Sequence, residues 1–146
     1  ASIRKFVDND EYFFLTYGDG LANIDIKKSL ACHLGANKLA TITCVRPPDR
    51  FGAVEITDNK VTSFHEKPEG HGGFINGGFF ILSPQIFEYI DKGRTSWEQD
   101  SLKDIASDNQ LNPYIHKGFW QPMDTLRDKL GLHELWENQN APWKIW

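Results

Sequence analysis

The segment EYFFLTYGDG, residues 11–20, is an apolar run that stops at two glycines flanking an aspartate. Glu11 to Tyr17 predicts a buried strand, and Gly18-Asp19-Gly20 predicts the turn that ends it. Beyond the turn, Ile26, Leu30 and Leu34 recur every fourth residue, which predicts a helix with its apolar stripe on the sheet. Leu39 to Val45 is rich in β-branched residues and predicts a second strand. Strand, turn, helix and strand in that order mark a parallel arrangement in an α/β fold. Ligands of such sheets gather at the carboxyl ends of the strands, where Asp19 lies, and the flanking glycines let a phosphate or ribose approach the backbone. Asp19-Gly20 reads equally as a plain turn, although the helix that follows weakens a hairpin explanation.

Working outward, Arg46-Pro47-Pro48-Asp49-Arg50 predicts a loop, because consecutive prolines cannot sit in a central strand. Two short strands, Gly52 to Ile56 and Val61 to His65, are expected around a turn at Asp58-Asn59. The glycines of Glu69 to Gly73 predict a mobile loop, and Phe74 to Leu82 an apolar strand interrupted by Gly77-Gly78. Ser83-Pro84 opens a short helix, and Thr95-Ser96-Trp97-Glu98 matches a capping box that opens another. Leu111 to Trp120 is expected as a strand and Thr125 to Glu137 as the last helix. The apolar residues of that helix cover roughly 220° of the wheel at 100° per residue, so it needs cover on more than one side.

A chain of 146 residues fits one domain with a real core, and 40% hydrophobic with 25% charged residues is ordinary for a globular protein. Five Trp and 13% aromatic residues suit core packing before ligand stacking. A net charge of −4 without a basic stripe argues against a nucleic-acid partner. No apolar run approaches the ~20 residues that span a bilayer, so no membrane is expected. No signal peptide is read in the charged opening residues. Cys32 and Cys44 form no metal-type pair and read as two buried thiols of a reducing compartment, with a cytoplasmic location expected.

Three further places could carry chemistry. Asp124, in Gln121-Pro122-Met123-Asp124-Thr125, sits at a strand-to-helix junction and reads either as an N-cap or as a second carboxylate for Mg²⁺, which takes one or two carboxylates plus phosphates and water. Glu66-Lys67-Pro68 ends a strand with an acid and a base: a carboxylate that can accept from sugar hydroxyls and an ammonium that can meet a phosphate, or simply a solvated pair. Asn76, before Gly77-Gly78, offers an amide donor and acceptor beside a bare backbone, or tolerates a left-handed turn. Phosphate-loop, dinucleotide, zinc-protease and nucleophile-elbow patterns are all lacking.

In this order, Gly18-Asp19 after a strand, Arg50-Phe51-Gly52, Phe64-His65-Glu66-Lys67-Pro68, Asn76-Gly77-Gly78-Phe79 and Asp124-Thr125 resemble the sugar nucleotidyltransferases. Trp97-Glu98-Gln99, the run from Gly118-Phe119-Trp120 to Arg127-Asp128, and Ala141-Pro142-Trp143-Lys144 make the chain similar to the glucose-1-phosphate cytidylyltransferases over essentially its whole length. The resemblance implies a partial Rossmann-like, nucleotidyltransferase-type mixed sheet flanked by helices. It implies attack of a sugar 1-phosphate oxygen on the α-phosphorus of CTP, chemistry that depends on positioning and charge neutralisation. Carried over by motif, Asp19 and Asp124 hold Mg²⁺, Gly18 lies against the nucleotide sugar, and Glu66, Lys67, Asn76 and Gly77 bind the glucose phosphate.

Members of that family open with a strand, a Gly-rich loop carrying an essential Arg, and a Pro-Lys-Pro segment, none of which is read here. The expectation is therefore a single-domain C-terminal portion of such an enzyme, inactive by itself. The alternative is a non-catalytic sugar-phosphate-binding or oligomerisation module from a truncated gene. The expected partners are a sugar phosphate or nucleotide sugar, weakly held, and a second copy of the chain in a dimer.

Overall fold

A computed structural model describes residues 3–47, 53–57, 60–65, 73–90 and 96–146. In chain order these form α1 (Arg4–Val7), β1 (Phe13–Thr16), β2 (Gly20–Ala22), α2 (Ile26–Ala36), β3 (Ala40–Val45), β4 (Ala53–Thr57), β5 (Lys60–His65) and β6 (Ile75–Leu82). A 3₁₀ turn (Pro84–Ile86) then leads into α3 (Phe87–Ile90), and a π-helical turn (Trp97–Ser101) into α4 (Leu102–Ser107). β7 (Leu111–Ile115), β8 (Trp120–Pro122) and α5 (Leu126–Glu137) complete the order.

Four strands make the main sheet in the order β1-β6-β3-β7. β6 runs antiparallel to both β1 and β3, and β7 pairs with β3 in parallel, so the sheet is mixed, as expected. β1 and β3 do point the same way, but β6 lies between them, and the unit read as one parallel pair is two strands of an antiparallel triplet. Two antiparallel ribbons stand apart from that sheet, β2 with β8 and β4 with β5. The β4–β5 register runs from Ala53 opposite His65 to Thr57 opposite Lys60, which agrees with a two-residue hairpin connection; the turn residues themselves lie outside those described.

The core fills one face of the main sheet. Phe13, Ala40, Phe80 and Leu82 from the strands meet Ile86, Phe87, Leu102 and Ile105 from the helical segments. Phe13 stacks on Phe87 with centroids 5.9 Å apart, and Phe80 lies between Tyr17 and Trp97 at 5.7 and 5.6 Å. Burying these rings supplies most of the drive to fold, at about 1.5–3 kcal/mol per large side chain. Among the described strands β1 lies at the sheet edge, and it is not buried on both faces: Phe13 points into the core while Phe14 is half exposed.

α2 covers part of the other face, against β3 and β7. Asp25 caps its start, accepting from the Lys28 N–H at 3.0 Å, and Asn37 ends it in the left-handed region at φ 50°. The side it buries is not the predicted stripe. Ser29 and His33 are buried, whereas Ile26 and Leu34 are 60% and 52% exposed. The reason is polar matching: His33 Nδ1 lies 2.9 Å from Thr41 Oγ1, and Asn112 Nδ2 donates to that hydroxyl at 3.4 Å. Satisfying buried Thr41 required a polar helix face opposite it.

Two further expectations change. The run from Leu111 to Trp120 is not one strand: it leaves the sheet after Ile115, where the His116 N–H donates to the Cys44 carbonyl, and resumes as β8 in the ribbon. The helix begun near Thr95 has Ser96 as its cap, accepting from the Gln99 N–H at 3.1 Å. Cys32 and Cys44 are free thiols, each half-buried rather than buried.

Candidate active site

The β2–β8 ribbon brings the backbone at the two candidate metal positions to the same ribbon end. Gly20 pairs with Pro122, and the Met123 N–H donates to the Asp19 carbonyl at 2.7 Å. Asp19 therefore stands opposite Met123, with Asp124 the next residue along. Sequence reasoning left Asp124 open between cap and ligand, and the structure assigns the cap elsewhere. Thr125 accepts from the Asp128 N–H at 3.2 Å, and Asp128 accepts from the Thr125 N–H at 3.0 Å, a complete capping box. Asp124 is left exposed, and among the described residues neither it nor Asp19 is held by a side-chain hydrogen bond. Two such oxygen donors at a ladder end suit Mg²⁺, which needs few protein ligands. No group of three or more metal-ligating side chains occurs among the described residues.

The ribbon is pinned to the main sheet at Gly77. Trp120 Nε1 donates to the Gly77 carbonyl at 2.8 Å. A Cβ on Gly77 would lie 2.9 Å from Val45 Cγ1 and 3.0 Å from the Thr43 carbonyl, so only glycine lets the backbones approach. Gly77 is buried, and its carbonyl is engaged by the indole. Gly78 adopts φ +78° beneath the Tyr17 ring, which holds that ring at the end of β1.

Asn76 lies at the start of β6, close to the end of β1. Its Oδ1 accepts from the Gly78 N–H at 2.9 Å. Its Nδ2 donates to Tyr17 Oη at 3.2 Å and to Glu98 Oε1 at 3.0 Å, and the Tyr17 hydroxyl donates to the same Glu98 oxygen at 2.6 Å. Burial, then the Glu98 hydrogen bond, push the Tyr17 phenol up to about 12, with Asp19 adding a smaller charge effect from nearby. The phenol is therefore neutral, and a donor, at physiological pH.

Gly18, Asp19, Asn76, Gly77 and Asp124 thus fall around the end of β1 and the ribbon. Glu66 and Lys67, like Arg50-Phe51-Gly52 and 69–72, lie outside the described residues. Tyr17 and Glu98 were not singled out as site residues from sequence. An aromatic at a strand end reads as core, and Glu98 reads as first-turn helix charge.

A family model described as nucleotidyl transferase matches residues 1–130. The glucose-1-phosphate cytidylyltransferase of Salmonella typhimurium is 50% identical over 144 residues, covering 99% of this chain and 56% of that protein. The mannose-1-phosphate guanyltransferase of Aspergillus fumigatus is 31% identical over 128 residues, covering 84% of this chain and 35% of that protein. Among solved structures, HddC from Yersinia pseudotuberculosis superposes with a TM-score of 0.64 at 24% identity, over 92% of this chain and 59% of that one, a likeness of fold. The chain spans a little over half the length of its cytidylyltransferase relatives.

These matches overturn one group of expectations. The family model is matched from residue 1 to residue 130, and the 50% identity extends over 99% of the chain. The reading of a chain from which the family's N-terminal part is missing does not stand. Inactivity for want of that part, and the alternative of a non-catalytic module from a truncated gene, fall with it.

Proposed function

The chain belongs to the nucleotidyl transferase family, and on that premise we propose that it serves transfer of a cytidylyl group from CTP to glucose 1-phosphate. A phosphate oxygen of the sugar phosphate bonds to the α-phosphorus, and the bond from that phosphorus to the bridging oxygen breaks. Pyrophosphate leaves with the electron pair, and CDP-glucose forms. Among relatives, the 50% identical cytidylyltransferase supports the choice of sugar phosphate and nucleotide.

The observation that supports the reading is the place of Asp19 and Asp124 in the chain, each just beyond the paired ends of β2 and β8 and one position out of step, with Thr125 doing the capping. Asp19 and Asp124 would hold Mg²⁺, which supplies charge neutralisation on the phosphates when bound. Gly18, at the end of β1, gives a nucleotide sugar close access to the backbone. Glu66, Lys67 and Asn76 are assigned to the sugar phosphate, with Gly77 supporting that subsite from beneath. Among the described residues no helix is long and apolar enough to cross a membrane. A cytoplasmic location, where nucleoside triphosphates are made, and a homodimer belong to the same proposal.

Pyrophosphate release by the purified protein, with Mg²⁺ and glucose 1-phosphate, tests it across CTP, UTP and GTP. CTP is expected to be preferred, and Asp19→Asn or Asp124→Asn to lower kcat/KM by about 10²-fold or more, as for loss of other transition-state charge stabilisers. No release with any nucleotide, or full activity in both variants, would overturn the reading.

A further inference from the structure

We infer that Glu98 is a positioning residue of the sugar subsite: by binding Asn76 and Tyr17 together it fixes the amide and the phenol in the orientation in which they meet the ring hydroxyls of the sugar. The inference rests on the proposed function, which places Asn76 at the sugar phosphate, and assigns a role to a residue outside that list.

Counting donors and acceptors leads to it. Asn76 Nδ2 lies 3.2 Å from Tyr17 Oη and 3.0 Å from Glu98 Oε1, which are themselves 2.6 Å apart, so one amide N–H is shared between the two oxygens and the other stays available to a ligand. The single Tyr17 O–H is spent on Glu98 Oε1 as well. Also open are one lone pair on Asn76 Oδ1, one on Tyr17 Oη, and Glu98 Oε2, which has no hydrogen-bond partner among the described residues. All three accept. A sugar hydroxyl, which both donates and accepts, can donate to these oxygens and accept from the second Asn76 N–H.

Without Glu98, the phenol would be free to rotate and the amide would be held only through its oxygen by the Gly78 N–H and by the loosened Tyr17 contact. The fold gives Glu98 this place deliberately. Ser96 caps the helical segment, the π turn directs Trp97 inward against Phe80, and the next residue reaches Tyr17, 81 positions earlier in the chain. π turns inside helices recur at functional sites.

Steady-state kinetics on the whole protein tests this. Glu98→Ala is expected to raise KM for glucose 1-phosphate about tenfold, the effect of losing charge-assisted hydrogen bonds, while KM for CTP and kcat stay within about threefold. Glu98→Gln keeps an oxygen that can accept from Tyr17 and Asn76 and is expected to recover most of the loss. A panel of singly deoxygenated glucose 1-phosphates should be discriminated less by Glu98→Ala than by the unaltered protein. If Glu98→Ala does not fold, Glu98→Asp, one methylene too short, takes its place. Equal kinetics in the unaltered protein and the Ala or Asp variant, a fall in kcat alone, or unchanged discrimination across the panel would overturn the inference while leaving the proposed function standing. Absence of pyrophosphate release from the unaltered protein overturns both.

Discussion

His33 is 3% exposed, with its Nδ1 against the Thr41 hydroxyl and the Tyr12 ring edge-on at 6.4 Å. Asn112 donates to Thr41 Oγ1, so the hydroxyl proton is free to point at the imidazole, which then accepts and is neutral. Burial holds its pKa below the usual 6.5. Because the folded state binds this proton less readily than the unfolded chain, His33 contributes stability that is present above pH 6.5 and lost as pH falls through the lowered folded pKa. The urea midpoint is expected to fall between about pH 7.5 and about pH 5, and to fall less in His33→Gln, since linkage follows the proton difference. Parallel declines in the two proteins would remove His33 from the explanation. At this scale the sequence was partly legible. Asp19 and Asp124 could be picked out as carboxylates at strand ends, but Asp124 and Thr125 are both good caps, and only the capping box shows that Thr125 won. The Tyr17–Asn76–Glu98 contact was not legible, because it joins residues 22 to 81 positions apart and no local pattern encodes that.

The β2–β8 ribbon and the π turn were not foreseen, while β3, β6 and the helices α2 and α5 were. Long periodic or strongly apolar segments announce themselves; three-residue strands such as Gly20–Ala22 and Trp120–Pro122 do not, because pairing alone defines them. The α2 stripe misled for a different reason. Its apolar period is real, but a buried threonine on the sheet drew the polar side inward. Gly77 shows how tightly the ribbon is set. Gly77→Ala is expected to cost about 1–3 kcal/mol, the usual range for overpacking, since its Cβ would press on Val45 and on the rigid Thr43 carbonyl. Equilibrium unfolding checks this, and an unchanged midpoint would mean that β3 and β6 are not in such close contact. Because Trp120 hangs from the same carbonyl, the substitution should also weaken the Mg²⁺-dependent activity proposed for Asp19 and Asp124.

At the scale of the molecule, α5 buries Leu132 but leaves Leu126 at 70% and Leu130 at 58% exposure, and Trp146 is 82% exposed. β1 presents an unpaired edge among the described strands. Apolar surface and open strand edges of this kind favour closed two-fold pairing, so the proposed homodimer should give about twice the 16.7 kDa chain mass in light scattering. A mass of one chain across the micromolar range would show otherwise, and Leu126→Glu with Leu130→Glu should shift the protein toward that mass if α5 is the seam. The strand order has a consequence of another kind. No two neighbours in β1-β6-β3-β7 follow each other along the chain, so every contact in that sheet closes a long loop. Such high contact order puts folding in milliseconds to seconds, not microseconds. During synthesis β1 and β3 must wait, unpaired, until Phe79-Phe80-Ile81-Leu82 has left the ribosome, which makes β6 the segment whose delay most exposes the nascent chain to aggregation.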